Sequence, residues 1–459
     1  MLLSRPAILE NQFIIGASPV SGLLQSDFWG VPLSHSGSHK SYRPLTSLSF
    51  KINWMLTGPS PLFFHATNVL LHGIVTFIYM QFMASKVPAK ISRTAGILFA
   101  VHPIHSEAVC GIVGRADILS AVFYLLTLLV HKSHGWSLLT PLLATAAMLA
   151  KEQGVTVLGV CFILDLLDGR GFKDKTKSLL RLAFSLIMIM SLRVVFLDGQ
   201  LPTFSKADNP ASHSSSLLTR ILTFLYLPVV NVLLLLCPST LSYDWSMESI
   251  PLISSLLYSR NFLSVLFYSL LVGFISKVLF KAYRLFARKS NGSGWNTQES
   301  SNLSKTRPTP LAANTTCQIE EISVIGLTLS LIILPFLPAT NLFFYVGFVV
   351  AERLLYLPSF GYCLLLAYGF SRVAQHHPSL SCLGLAVLLM ASALKTINRN
   401  RDWENEETLF KSGIIVSPAK SYSNLGNILY AKGNVRVAEA VFKEAIRHRS
   451  NMADTHYNL

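Results

Sequence analysis

The chain has 459 residues, 51% of them hydrophobic and only 13% charged, with a mean hydropathy of +0.48. That usage is too apolar and too sparsely charged for an ordinary soluble protein. The formal charge of +15 would suggest nucleic acid in a soluble domain, but here Lys and Arg fall in short loops between apolar runs, the pattern that orients a membrane protein. The expected fold is therefore all-α, a polytopic membrane bundle, with no nucleic-acid partner. Six cysteines, at 110, 161, 237, 317, 363 and 382, show no CxxC spacing, so neither a disulfide framework nor a metal site is expected.

Residues 1–60 form a polar, Ser/Gly/Pro-punctuated segment without the basic and apolar stretches of a signal peptide. It carries one dense cluster, HSGSHKSYRPLT, from His35 to Thr46. Lys40 and Arg43 supply the charge, and Ser and Tyr the hydrogen bonds, that a phosphate needs. A solvated interfacial loop is the alternative reading.

Membrane helices are predicted at 61–83, 94–104, 112–131, 137–150, 154–168, 179–197, 217–237, 262–280, 322–338, 345–370 and 379–395. Several, notably 94–104 and 137–150, are shorter than the roughly 17–25 residues of a straight crossing. Short or broken helices are tolerated only where protein or a wet cavity satisfies the backbone. The stretch FAVHPIHSEAVCGIVGRADILSAVFYLL, from Phe99 to Leu126, strengthens that reading, because it sets His102, His105, Glu107, Arg115 and Asp117 in an apolar run. Each ionisable group in hydrocarbon costs about 2.5–3.5 kcal/mol, so such groups mark a functional cavity by default. The bland alternative pairs Arg115 with Asp117 across a kink and has the histidines cap a helix end.

The basic loops Lys86/Lys90/Arg93, Lys173/Lys175/Lys177/Arg181 and Lys281/Arg284/Arg288/Lys289 are expected on the cytosolic side, and residues 1–60 on the other. The loops 197–216 and 238–252 both read as non-cytosolic, although one apolar helix separates them. Either 217–237 is re-entrant or a hairpin, or one loop is misassigned. Membrane helices thus occupy 61–289 and 321–396, around a Ser/Thr/Asn-rich linker over 290–320 that is expected to be disordered. Its sequons at Asn291, Asn302 and Asn314 would matter only in the lumen, and the flanking basic residues place it in the cytosol.

From 397 to 459 the chain becomes charged. The pair Asn424–Leu425 returns as Asn458–Leu459 after 34 residues, the period of a tetratricopeptide repeat. Leu425, Gly426, Ala438, Phe442 and Ala445 stand where the two helices of such a repeat interlock, and Gly433 stands near their turn. Because such arrays need about three copies to bury a core, the sequence predicts the start of an α-solenoid that continues beyond this chain.

The combination of membrane helices and these repeats with HSGSHKSYRPLT, HPIHSEAVCGIVGRADILSA, KEQGVTVLG, ADNPAS, PATNLFFYVGFVVAERLLYLPSFGYC and NRNRDWENEETLFKSG resembles the transmembrane and tetratricopeptide repeat-containing proteins. The resemblance covers essentially the whole chain. It implies a multi-pass O-mannosyltransferase of the endoplasmic reticulum with a GT-C-like membrane bundle. No cofactor is implied, and dolichyl phosphate mannose is the donor substrate. The implied partners are the membrane, acceptor proteins with cadherin-type domains, and proteins held by the repeats. Lys40, Arg43, Glu352 and Arg353 are the substrate-side candidates.

Members of that family carry an acidic pair at the end of a first membrane helix, where this chain reads MLLSRPAILEN. Glu10 and Asp27 lie nearby but not at the matching position. The catalytic base is thus unassigned, with Glu107, His102 and His105 as stand-ins, and the chain as given is expected to be inactive until an upstream helix with the acidic pair is restored. A non-catalytic scaffold that binds partners through its repeats is the alternative function. A transporter would need repeated membrane halves, which the sequence lacks.

Overall fold

The computed structural model describes residues 4–168, 171–197, 199, 204–291 and 310–459. Among these residues the chain is helical, and β pairing is confined to two isolated bridges, Ser26 with Pro32 and Trp245 with Val350. Proline opens many of the helices, including Pro44–Thr57, Pro61–Ala84, Pro358–Ala374, Pro378–Asp402 and Pro418–Ala431. The first helical residue has no intrahelical use for its N–H, so a proline there costs nothing and presets φ.

Seven described helices are long and apolar enough to cross a membrane: Pro61–Ala84, Ile112–His134, Phe172–Phe196, Leu217–Leu236, Ser259–Arg284, Gln318–Ala339 and Pro378–Asp402. Ile112–His134 is the most buried of them and forms the bundle's axis. Three more helices, Ala89–Val101, Leu139–Ala150 and Val157–Leu167, have 13, 12 and 11 residues. At 1.5 Å per residue they reach only about 20 Å, against a hydrocarbon core of about 30 Å. Their missing length is made up by irregular polar segments at one end of the bundle, 102–114 and 151–156. The core between them is aromatic: Phe360 stacks on both Tyr79 and Phe99, with ring centroids 4.9 and 4.8 Å away. At Gly361 a Cβ would lie 2.5 Å from the Thr328 carbonyl, so only glycine lets Pro358–Ala374 approach Pro310–Phe336 so closely.

The helix expected over 345–370 does not form as one element. Asn341 adopts φ 59°, the chain runs irregularly to Ala351, Glu352–Leu355 makes a single turn, and the helix begins only at Pro358. Side chains replace the helical hydrogen bonds: Asn341 Oδ1 accepts from Val346 N at 3.1 Å, and Asn209 Nδ2 donates to Val346 O at 3.0 Å. Irregular backbone is viable at membrane depth when protein satisfies it in this way. Within the expected linker, Ser259–Asn291 ends and Pro310–Phe336 begins as helix, so Asn314 has helical backbone. Asn302 lies outside the described residues.

The loops on either side of Leu217–Leu236 meet each other. Met247 N donates to Ala207 O at 2.9 Å, Asn209 Nδ2 donates to Asn341 Oδ1 at 2.9 Å, and Trp245 pairs with Val350. Both ends of this helix therefore lie at the same end of the bundle, and it does not carry the chain across. The conflict over loops 197–216 and 238–252 is met by placing both at one end of the bundle, with Leu217–Leu236 between them as one unbroken helix rather than a re-entrant hairpin.

The N-terminal segment packs at that same end, where Ala7, Ile8, Ile14, Phe28, Phe50 and Phe64 form a cluster with Ile112. So does the C-terminal region, through Cys110 Sγ to Asn400 Oδ1 at 3.2 Å. Helices Pro418–Ala431 and Val435–His448 form an antiparallel hairpin with Leu425, Ala438, Phe442 and Ala445 buried, as the 34-residue pattern requires. The hairpin docks on the 238–250 loop: Asn424 Nδ2 donates to Tyr243 Oη at 3.2 Å, and Lys420 pairs with Asp244.

Candidate active site at the helix breaks

Because three helices stop short, the segments 102–114, 151–156 and 341–357 meet between the helix ends, beneath the N-terminal segment. Arg43 precedes Pro44 and caps the helix with φ −134° and ψ 57°, outside the helical region that a following proline disfavours. Its guanidinium reaches Glu152 Oε2 through Nη2 at 2.9 Å and Nε at 3.0 Å. Arg193, near the end of Phe172–Phe196, takes the other Glu152 oxygen at 3.3 Å. Burial would raise the Glu152 carboxyl, but the two guanidiniums outweigh it and hold it down at about 2. Thr46 Oγ1 donates to Ala150 O at 2.8 Å and fastens the same junction. A Cβ on Gly154 would lie 2.4 Å from the Ala147 carbonyl, so the turn after Lys151 can close only with glycine there.

Lys151, beside Glu152, is buried and pairs with Asp117 in the first turn of Arg115–His134. Burial lowers its ammonium, and the nearby charges of Arg353 and Arg43 work in the same direction. Glu107 accepts from the Arg353 backbone N–H at 2.9 Å and faces the Arg353 Nε at 3.6 Å. Burial raises the Glu107 carboxyl, and Arg353 opposes it. The Arg353 side chain remains 37% exposed and Glu152 30%, so the cluster opens to its surroundings. Four cations, Arg43, Lys151, Arg193 and Arg353, stand against three carboxylates, Asp117, Glu107 and Glu152. That excess of positive charge suits an anion, and guanidiniums in particular suit a phosphate.

The other expected residues are placed differently. Lys40 is buried with φ 55°, and its ammonium donates to the carbonyls of Leu33 and His35, so it fastens its own loop. His102 Nδ1 accepts from Ile104 N at 3.2 Å while its Nε2 donates to Leu235 O at 3.2 Å, which makes it a cap on the turn 103–105. His105 Nε2 lies 2.8 Å from Ser359 Oγ. Glu352 is fully buried; its Oε1 accepts from Ser242 N at 2.6 Å and Trp245 Nε1 at 2.9 Å. Burial, reinforced by the charge of Glu107, pushes its carboxyl up to about 8. Glu352 ties the 238–250 loop to the site.

Arg115 and Asp117 do not pair. Arg115 is fully buried, donating to Asn68 Oδ1 at 2.8 Å, to Asn53 Oδ1 and to Phe64 O at 2.7 Å, with its guanidinium 4.7 Å above the Phe50 ring. It clamps Pro44–Thr57 and Pro61–Ala84 to the start of the axial helix. Sequence reasoning missed Lys151, Glu152 and Arg193 as site residues. The signal was present in KEQGVTVLG, a charged pair closing an apolar run, to which the same cost argument applies.

The family model for protein O-mannosyl-transferase TMTC, DUF1736, matches residues 198–272, which hold Leu217–Leu236 and its flanking loops. Over 98% of its length the chain is 41% identical to protein O-mannosyl-transferase TMTC2 of Mus musculus, covering 60% of that protein. It is 40% identical over 99% to Tmtc1 of Drosophila melanogaster, covering 60%, and 37% identical over 99% to TMTC3 of Mus musculus, covering 49%. The chain thus spans at most about 60% of the length of these relatives. No solved structure matches it. Along nearly its whole length the chain is thus similar to curated proteins named protein O-mannosyl-transferase, and the model of that family matches it over Leu217–Leu236 and the flanking loops.

Proposed function

We propose that this chain forms the membrane part of an enzyme that moves mannose from dolichyl phosphate mannose to Ser or Thr hydroxyls of secretory-pathway proteins, cadherin-type domains among them, in the endoplasmic reticulum. The observation that carries the reading is the cation-rich cluster of Arg43, Lys151, Arg193 and Arg353, set below the bundle's end by three helices too short to cross. A lipid-linked donor enters sideways from the bilayer, so its phosphate meets protein at that depth. The site lies on the lumenal side, with the N-terminal segment and the C-terminal hairpin above it, because the basic turns at the opposite end face the cytosol.

In this mechanism Arg353 and Arg43 hold the donor phosphate. The acceptor hydroxyl attacks the anomeric carbon, the new C–O bond forms as the bond from that carbon to the phosphate oxygen breaks, and dolichyl phosphate leaves with the bonding pair. Glu107 takes the hydroxyl proton. Its carboxyl is raised by burial, which makes it a better base than Glu152, whose proton affinity two arginines suppress. Glu152 is the post that aims Arg43 and Arg193.

Donor binding tests the phosphate side. The chain with Arg353→Leu, reconstituted in nanodiscs, is expected to bind dolichyl phosphate mannose at least tenfold more weakly than the wild type, in line with the loss of one charge-assisted contact. Equal affinity rules Arg353 out as a donor ligand.

A further inference from the structure

The end of the bundle opposite the site holds a second polar cavity. The turns that close Pro61–Ala84, Ile112–His134 and Val157–Leu167 meet there, and Lys86, His131, Lys132, Leu164, Asp165 and Asp168 line it. Its oriented group is His131, only 3% exposed. Asp165 holds the ring, with Oδ1 2.9 Å from Nε2, and its Oδ2 accepts from Ser178 Oγ at 2.6 Å. The other ring nitrogen, Nδ1, is buried without a partner among the described residues. A buried polar atom left unmatched costs about 1–3 kcal/mol, which is not spent idly beside a cavity.

Lys86 and Lys132 converge on the same space. Burial and then the charge of Lys132 bring the Lys86 ammonium down to about 8, so the two like charges oppose each other, with Asp168 and Asp165 offsetting them in part. An anion between them relieves that repulsion. The cavity also has an apolar continuation: a contiguous hollow shares Lys86, Lys132 and Leu164, and runs on to Leu167, Val324 and Leu327.

We propose that this cavity is a binding site for an anionic membrane lipid, with Lys86 and Lys132 taking phosphate oxygens, His131 Nδ1 completing the headgroup contacts, and an acyl chain lying along Leu167, Val324 and Leu327. A free phosphate ion shares the headgroup chemistry but has no use for the apolar wall, which is why a lipid is the occupant. The site stands at the basic end of the molecule, where loop lysines and arginines concentrate anionic lipid from the adjacent leaflet. It is separate from the transfer site and does not depend on the reading of that site.

Thermal unfolding of the full chain in detergent micelles, titrated with short-chain phosphatidylinositol 4-phosphate, tests it, because a ligand that binds only the folded state raises its stability. Phosphatidylcholine and inorganic phosphate serve as controls. The expected result is stabilisation by phosphatidylinositol 4-phosphate, none by phosphatidylcholine, and none by inorganic phosphate at the same concentration. Lys86→Ala and Lys132→Ala should each weaken the apparent affinity about fivefold. Without lipid neither should be less stable than the wild type, since neither lysine is in the core and each loss relieves the repulsion. For the wild type alone, raising the salt from low to high concentration should weaken the interaction severalfold. Stabilisation by phosphatidylcholine equal to that by the anionic lipid overturns the proposal, as does an equal effect of inorganic phosphate. So do lysine variants that bind like the wild type, or binding indifferent to salt.

Discussion

Replacing Glu152 with Gln removes the one carboxylate that Arg43 and Arg193 share. In the folded chain this carboxyl falls from its ordinary 4.5 to about 2. At 1.36 kcal/mol for each tenfold change in proton affinity, the ion triad is worth about 3 kcal/mol if fully shielded. With 30% of the side chain exposed, solvent trims that to about 2 kcal/mol. Because the folded value lies below the unfolded one, the contribution is fully present above about pH 5 and is lost as pH falls toward 2. The wild type should therefore exceed Glu152→Gln by about 2 kcal/mol at pH 7 and by less than half of that at pH 3. Denaturant unfolding of the two purified chains at pH 7, 4 and 3, followed by tryptophan fluorescence, measures the gap. A difference that stays constant or widens toward acid would refute the ion-triad account of how this junction is held.

Two further outcomes follow from the packing. Arg115→Lys should cost about 2–3 kcal/mol, since one ammonium cannot reach Asn53, Asn68 and the Phe64 carbonyl that the guanidinium fork serves together; a loss under about 0.5 kcal/mol would show the clamp to be incidental. In an otherwise cysteine-free chain, cysteines at Ser36 and Ser450 should both be shielded from an impermeant thiol reagent outside sealed microsomes, while one at Ser85 is labelled. Labelling of only one of the first two would contradict the reading that Leu217–Leu236 does not carry the chain across.

Much of this was legible in the sequence wherever a physical cost was written into composition. Ionisable residues in apolar runs located Glu107, Arg115, Asp117 and Arg353, and helices too short to cross located the depth at which they meet. The partners of these residues were not legible, because pairing depends on which helix ends come together. Arg115 and Asp117, two residues apart, look like a pair and instead serve Asn53 and Asn68 on one side and Lys151 on the other. Lys40 and Arg43 share one motif, yet one ammonium turns back on its own loop and the other cation reaches across 109 residues to Glu152. The break at 341–357 was hidden in an apolar stretch because it is sustained by Asn209 from a distant loop.

The proposal that Glu107 is the base and the arginine-lysine cluster the donor site is tested most directly by sugar transfer itself. The measurement is initial-rate transfer from labelled dolichyl phosphate mannose to a cadherin-type acceptor, comparing Glu107→Gln with its parent in the longest chain that shows transfer. Loss of the base predicts a fall in kcat of about 10²–10⁴ with donor affinity nearly unchanged. Transfer by Glu107→Gln within threefold of the parent would contradict the assignment and move the base elsewhere.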